Sequence, residues 1–504
     1  MISPSAETTL ARDLGVAIRT NDEAAVSAAL AAPGNTPQEA TQELLDACLK
    51  SPSPLGLRTL ADGPLSFWCT APWERNAMVP ELLQAMRDAG VDPLLVARCG
   101  SVQHRPVPDP PPPSAPWAAR LRWLDSNLPR PPNHVAFVVQ RGGVEVPASL
   151  KADPRLWQRQ FMVTYAGEPA SDAGGVTKAW LQEMLRAVCA PGFGLLQGRG
   201  NDAAQAWFAP AFAGPLDDAR REKVQLLALL LAKAASLGLT TPEVHLAETF
   251  LARLAGRDVR PDLAALDAID TGLATTVRNI VGLSDEALAS AEIPFAIPNP
   301  SAPGGDWLPL DPARPDAMVT PENKRDYAAR AAERALRAFD PAVEAFGRAF
   351  YSVLPQALLR PFQGNEVDTL LAGPRRLDLR DWETHTRVSP PTAPYRAANL
   401  ASPAQIRDWF FEILTEWQTS HPTLPGQLLC QIIHSSRPPA GGFAALTGQQ
   451  AFELQSLDEP LAPMTASTCL NTLAIPAFAC DGGKAELELE LRNFATMKRR
   501  FNAV

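Results

Sequence analysis

Thr468-Cys469-Leu470-Asn471 is the stretch of this chain whose residue types most directly suggest chemistry. A cysteine beside a turn-favouring asparagine, followed by Leu473-Ala474-Ile475-Pro476-Ala477-Phe478, predicts a short loop feeding an apolar β-type segment. A thiol presented on such a loop can act as a nucleophile. Its thiolate attacks an acyl carbon, and the sulfur ester stays reactive enough to hand the acyl group on. The competing reading is a buried structural cysteine, the commonest fate of a free thiol. Cys480 lacks the same setting and reads as packing, and Cys430, inside the apolar run 428–433, reads as core.

The other cysteines stand at 48, 69, 99 and 189, so the total of seven is odd and contains no CxxC pair. That pattern argues against a disulfide framework and against a zinc site, and it suits a reducing compartment. A cysteine hydrolase would pair its thiol with an imidazole. His434 precedes Cys469 by thirty-five residues and no histidine follows it, which leaves that enzyme class a weak rival.

Residues of this kind need a scaffold to hold them, and 504 residues suffice for several full-sized cores. A hydrophobic share of 46% with 20% charged residues describes a globular chain. The net charge of −9 disfavours nucleic acid or an anionic membrane surface as the main partner. No apolar run reaches spanning length, since residues 226–239 are interrupted by Lys233 and predict a buried helix. The start, Met1-Ile2-Ser3-Pro4, lacks the basic-then-apolar layout of a cleaved signal peptide.

Residues 17–32, 44–60 and 78–89 each carry apolar positions at helical spacing, which predicts a small helical module over residues 1–105. Their spacing of about thirty residues resembles degenerate ankyrin units. Pro110-Pro111-Pro112-Pro113 then predicts an extended linker over 106–119. Beyond Trp117 the pattern turns mixed, with buried strands expected at 134–139 and 161–165. The glycines of Asp172-Ala173-Gly174-Gly175 lack a phosphate-loop layout and predict a turn into a helix containing Trp180.

The Thr468–Asn471 loop closely resembles the catalytic cysteine loop of HECT-type ubiquitin ligases. Other segments of this chain resemble that family in the same order. Gly167-Glu168, Asp172 and Gly174-Gly175 match its signature turn before a Trp-containing helix, and Pro191-Gly192-Phe193-Gly194-Leu195-Leu196 matches a later segment. Ala232-Lys233-Ala234 lies where the family has its central helix, and Thr320-Pro321-Glu322-Asn323-Lys324-Arg325-Asp326-Tyr327 resembles a family helix start. Residues 350–373, Trp382-Glu383-Thr384-His385-Thr386 and Ser435-Ser436-Arg437-Pro438-Pro439-Ala440-Gly441-Gly442-Phe443 complete the series. Three departures stand out: Ser467 where the family usually has histidine, Leu470 where phenylalanine is frequent, and Phe478 where it has tyrosine.

The resemblance implies an α+β, bilobal HECT fold. It places a larger, mostly helical N-lobe at 120–388 with a conjugating-enzyme-binding subdomain near 243–330, a hinge at 389–396 and a smaller α/β C-lobe at 397–504. It implies that Cys469 carries ubiquitin as a thioester and passes it to a lysine. Thr468 and Asn471 would shape the loop, and Phe501, fourth from the end, would assist transfer or simply pack on its own lobe. The partners implied are a ubiquitin-charged conjugating enzyme, ubiquitin and a protein substrate met by the N-terminal module, with no cofactor and no metal ion. A non-catalytic ankyrin-type adaptor that only binds ubiquitin or its carrier is the non-enzymatic rival. Only eight of the 46 basic residues are lysines, which fits a GC-rich coding genome and also suits an enzyme that builds bonds on lysine. The Ala/Arg/Pro bias suggests a bacterial effector working in the cytoplasm of a host cell.

Overall fold

A computed structural model describes residue 87, residues 109–129, 133–168, 174–199, 202–242, 246–257, 259, 261–301, 307–391, 399–459 and 462–497. Arg87 apart, the expected helical module at 1–105 lies outside the described residues, as do Asp172, Phe501 and most of the expected hinge. Residues 109–112 of the proline run form no regular element, as a stretch lacking backbone donors should. Among the described residues no helix is long and apolar enough to cross a membrane.

The chain divides into two compact units. The first gathers residues 1–113, 208–229 and 249–363, and the second gathers 114–207, 230–248 and 364–504. In the first, Phe208, Phe250, Phe346 and Phe350 form an aromatic chain, with Phe250 and Phe346 edge to face at 5.1 Å. The helix Lys324–Arg337 starts where the sequence predicts a helix start. Asn323 accepts from the Thr320 amide at 2.7 Å and donates to the Met318 carbonyl at 2.9 Å, so the entry turn is closed by one side chain. Beside it Ala296–Pro298 pairs with Trp307–Pro309 in a short antiparallel ribbon.

The second unit carries the candidate site. It opens with helix α1 (Trp117–Asn127), whose Arg120 is buried in a two-pronged bond to Glu366 at 2.6 and 2.7 Å. Strands β1 (His134–Val139) and β2 (Gln160–Tyr165) follow, pairing in parallel from His134–Gln160 to Val139–Tyr165. They alternate instead of being buried on both faces: Phe161, Val163 and Tyr165 face the core while Val138 and Met162 face solvent. A two-stranded layer has only one face to hide, and helix α2 (Gly175–Cys189) covers it. Trp180 of α2 meets Phe137 at 5.2 Å and Phe161 at 6.0 Å, and Trp157 closes the cluster.

Helix α3 (Asp218–Ser236) contributes its C-terminal part to this unit. There Lys233, only 2% exposed, donates to the Arg159 carbonyl at 2.6 Å and lies 4.3 Å from the centre of the Phe161 ring.

The C-terminal part is a helical layer against a four-stranded sheet. Its helices are α4 (Leu379–Thr384), α5 (Pro403–Ser420), α6 (Leu424–Ile433) and α7 (Gly483–Thr496). Its strands are β3 (Arg387–Ser389), β4 (Glu453–Ser456), β5 (Thr465–Ser467) and β6 (Thr472–Ile475), in the order β3-β4-β6-β5. The first three neighbours run parallel and β5 antiparallel, so β5 and β6 form a hairpin. Helix α5 begins on Ser402, whose hydroxyl accepts from the Gln405 amide, with Pro403 in the first turn, where a missing N–H costs nothing. Its Ile406, Phe410, Ile413, Leu414 and Trp417 repeat at helical spacing and enter the core. Trp382 of α4 belongs to that same core and stacks on Phe443 at 4.8 Å. The C-terminal core thus begins ahead of residue 389.

Candidate active site

The β5–β6 hairpin is closed by Thr468, Cys469, Leu470 and Asn471. Its return requires a left-handed residue, and Asn471 supplies it at φ 53°, a conformation that asparagine tolerates better than most side chains. The Leu470 amide donates to the Ser467 carbonyl at 3.2 Å, tightening the turn. Asn471 is 1% exposed while Leu470 is 48% exposed, and Cys469 is partly open to solvent. The neighbouring strand β6 is buried along its whole length, which fixes the base of the loop. Thr468 is buried.

Two neighbours complete the loop's setting. Gln450, just ahead of β4, donates through Nε2 to the Cys469 carbonyl at 2.7 Å. Its own carbonyl accepts from Asn471 Nδ2 at 2.7 Å. One residue therefore ties both ends of the Cys469-Leu470-Asn471 turn. The second neighbour is the first turn of α2. A Cβ added at Gly175 would lie 2.7 Å from Cys469 Sγ and 2.7 Å from Thr468 Oγ1, so only glycine lets the thiol come this close. Gly174 precedes it at φ 103°, a backbone that only glycine adopts readily.

The end of β2 is tied to α2 by a polar cluster. Arg141 binds Glu168 at 2.7 Å and Glu183 at 2.6 Å while stacking over Tyr165 at 3.9 Å. Tyr165 donates to Glu183 at 2.9 Å. Hydrogen bonding to Arg141 holds the Glu168 carboxyl below its usual range. Burial, and then the neighbouring Glu183, pushes the Tyr165 phenol above its usual range.

One face of α2 carries Gly175 and, one turn on, Lys178. Lys178 Nζ donates to Gln450 Oε1 at 3.5 Å. Burial pushes this ammonium below its usual range, and the field of Cys469 opposes that shift.

Of the residues singled out from the sequence, Thr468, Cys469 and Asn471 are brought together, and Phe501 lies outside the described residues. Gln450, Gly175 and Lys178 were not anticipated as parts of one setting. The glycine pair was visible as a turn, but its approach to a thiol 294 positions later (469 − 175) leaves no local trace in the sequence. His434, the imidazole a hydrolase would need, is buried at the end of α6, and among the described residues no imidazole pairs with the Cys469 sulfur.

Comparison with known proteins agrees with this reading. A model of the HECT-domain (ubiquitin-transferase) family matches residues 182–493, more than half of the chain. The E3 ubiquitin-protein ligase HACE1 of Gallus gallus is 30% identical over 194 residues, covering 37% of this chain and 19% of that protein. HACE1 of Xenopus laevis is 31% identical over 193 residues, covering 37% and 19%, and that of Danio rerio 33% over 177 residues, covering 34% and 18%. The chain therefore spans about a fifth of the length of these curated relatives. A match over this share of the chain makes it a member of the HECT-domain (ubiquitin-transferase) family.

Proposed function

We propose that this chain is a ubiquitin ligase that takes ubiquitin from a conjugating enzyme onto Cys469 and passes it to a lysine. The observation that carries this reading is the hairpin turn that holds Cys469 partly open at its tip, inside a domain of this family. The first step exchanges one thioester for another and is close to isoenergetic. It needs an accessible thiolate and correct placement more than a strong base. Placement alone can lower such a barrier by roughly 7–11 kcal/mol in well-aligned cases. In the second step an amine attacks the thioester carbonyl, the C–S bond breaks and an isopeptide bond forms.

Thr468 and Asn471 position the loop. Asn471 does so through its left-handed backbone and its bond to the Gln450 carbonyl. The subdomain near 243–330 grips the conjugating enzyme. In support, Trp307 is 56% and Met318 48% exposed, and both flank one extended segment, through the Pro298–Trp307 pair and the Pro294–Met318 bridge. Large apolar side chains left in solvent together mark an interaction surface. The N-terminal module selects the acceptor protein, and Phe501 assists discharge. The chain works in a reducing cytoplasm, that of a host cell if its source is a bacterium.

The reading is tested with activating enzyme, conjugating enzyme and ubiquitin. Wild-type chain should acquire a ubiquitin adduct that thiol removes, Cys469→Ala none, and Cys469→Ser an adduct that resists thiol. Chains built by Cys469→Ala would remove the covalent carrier from the scheme and favour an adaptor.

A further inference from the structure

Gln450 is fixed through its backbone and open at its side chain. It ends the short turn Gly448–Gln450, where its amide donates to the Thr447 carbonyl at 3.1 Å and its carbonyl accepts from Asn471 Nδ2 at 2.7 Å. The residue is exposed, yet its Nε2 donates to the Cys469 carbonyl at 2.7 Å. The two ends of a side-chain amide are nearly alike in shape, so packing alone does not decide which one meets that carbonyl. Polar neighbours decide it. Oε1 faces two donors, Lys178 Nζ and Asn471 Nδ2, each at 3.5 Å. Turned round, the amide would set its oxygen against the Cys469 carbonyl and its hydrogens against an ammonium, which has no lone pair to accept them.

We propose that Lys178 is a positioning residue for the acyl carrier and acts through Gln450: its ammonium holds the Gln450 amide with Nε2 toward the Cys469 carbonyl. The proposal rests on Cys469 being that carrier. With the carbonyl held, the peptide plane between Cys469 and Leu470 is fixed, and with it the direction of the sulfur over Gly175. A cation on Oε1 also polarises the amide, which strengthens the bond that Nε2 donates.

The placement of Lys178 fits this role. It stands one turn beyond Gly175 on the same face of α2, so one helix both makes room for the sulfur and orients its loop. Burial disfavours the ammonium form of Lys178, and the field of Cys469 works against that shift, so the cation and the sulfur also act on each other directly. An apolar side chain in its place leaves the amide free to turn, whereas arginine keeps a charged donor.

The test measures single-turnover charging of the full chain by a ubiquitin-charged conjugating enzyme. Hydrogen exchange of the peptide that spans β5 to β6 is followed beside it, a readout that needs no ubiquitin. Lys178→Met keeps an apolar stem and removes the donor. Its charging rate at saturating conjugating enzyme should fall roughly three- to ten-fold, the scale of one lost hydrogen bond, with the half-saturating concentration unchanged. Its loop amides should exchange about three-fold faster or more. Lys178→Arg should restore both readouts to within about two-fold of the wild type. Gln450→Glu keeps an acceptor for Lys178 but has no N–H for the Cys469 carbonyl, so it should charge as slowly as Gln450→Met. In the Gln450→Met background, Lys178→Met should add nothing, because the residue through which it acts is already gone. Effects that multiply in that double variant, wild-type charging in Gln450→Glu, or a change confined to half-saturation in Lys178→Met would overturn the proposal. A wild type that never charges, while its loop exchange still responds to Lys178→Met, would bear out the hold on the loop and overturn the carrier reading instead.

Discussion

Cys469 is placed by three neighbours that do different things. Asn471 closes the turn in a left-handed conformation, Gln450 binds the Cys469 carbonyl and the Asn471 side chain on either side of Leu470, and Gly175 makes room for the sulfur. The two contributions of Asn471 can be separated. Asn471→Gly keeps the left-handed backbone and loses the bond to the Gln450 carbonyl, costing about 1 kcal/mol of stability. Asn471→Ala loses the bond and also strains the turn, adding about 1–2 kcal/mol. Denaturation of the two variants should therefore rank alanine below glycine, and charging of Cys469 should slow more in alanine. Equal stability would show that the positive φ is not a constraint on the loop.

At the level of elements, the hairpin and helix α2 were legible in the sequence because each writes a local pattern. The β-type run after Cys469, the paired glycines and Trp180 are short-range signals. Their mutual approach was not legible, since the contact of Gly175 with Cys469 spans most of the domain and neither residue type announces it. The same holds for Gln450, an ordinary surface-type residue that becomes central only when β4 and β6 pair, and for Trp382, whose place in the C-terminal core depends on Phe443. Gly175→Ala tests the approach: a Cβ 2.7 Å from sulfur must displace the loop, so thioester formation should drop while the α2 core around Trp180 stays folded. Retained charging in that variant would show that the docked position of the loop is not used.

Lys233 gives a second prediction on this scale. Burial depresses its ammonium to about 8. The unfolded chain keeps the ordinary, higher value, so the folded state is penalised wherever the group is charged in both states. That cost, about 3 kcal/mol at most, is fully present below about pH 8 and disappears as pH rises toward the unfolded pKa of roughly 10.4. Stability of the wild type relative to Lys233→Met should therefore rise between about pH 8 and 10. The contact with Phe161 and the bond to the Arg159 carbonyl offset part of the cost. A flat difference would mean that the lysine stays charged when folded.

On the scale of the whole molecule, the family match covers residues 182–493 and the candidate site needs only elements of the second compact unit. Of the N-terminal module Arg87 alone is described, and it binds Glu344 at 2.7 and 2.8 Å. A partly exposed pair of this kind contributes about 1 kcal/mol or less. Because the candidate site draws only on the second unit, a chain beginning near Trp117 should charge Cys469 at the wild-type rate, with the loss confined to choice of acceptor protein. Charging lost from a folded truncated chain would make the module part of the carrier machinery.

The central claim is that one sulfur, that of Cys469, carries ubiquitin. Peptide mass mapping of the wild-type chain, trapped under non-reducing conditions after one turnover with a ubiquitin-charged conjugating enzyme, addresses it directly. The account predicts a single thiol-labile ubiquitin adduct on the peptide that contains Cys469. An adduct on Cys430 or Cys480, or none on a chain that still transfers ubiquitin, would contradict it.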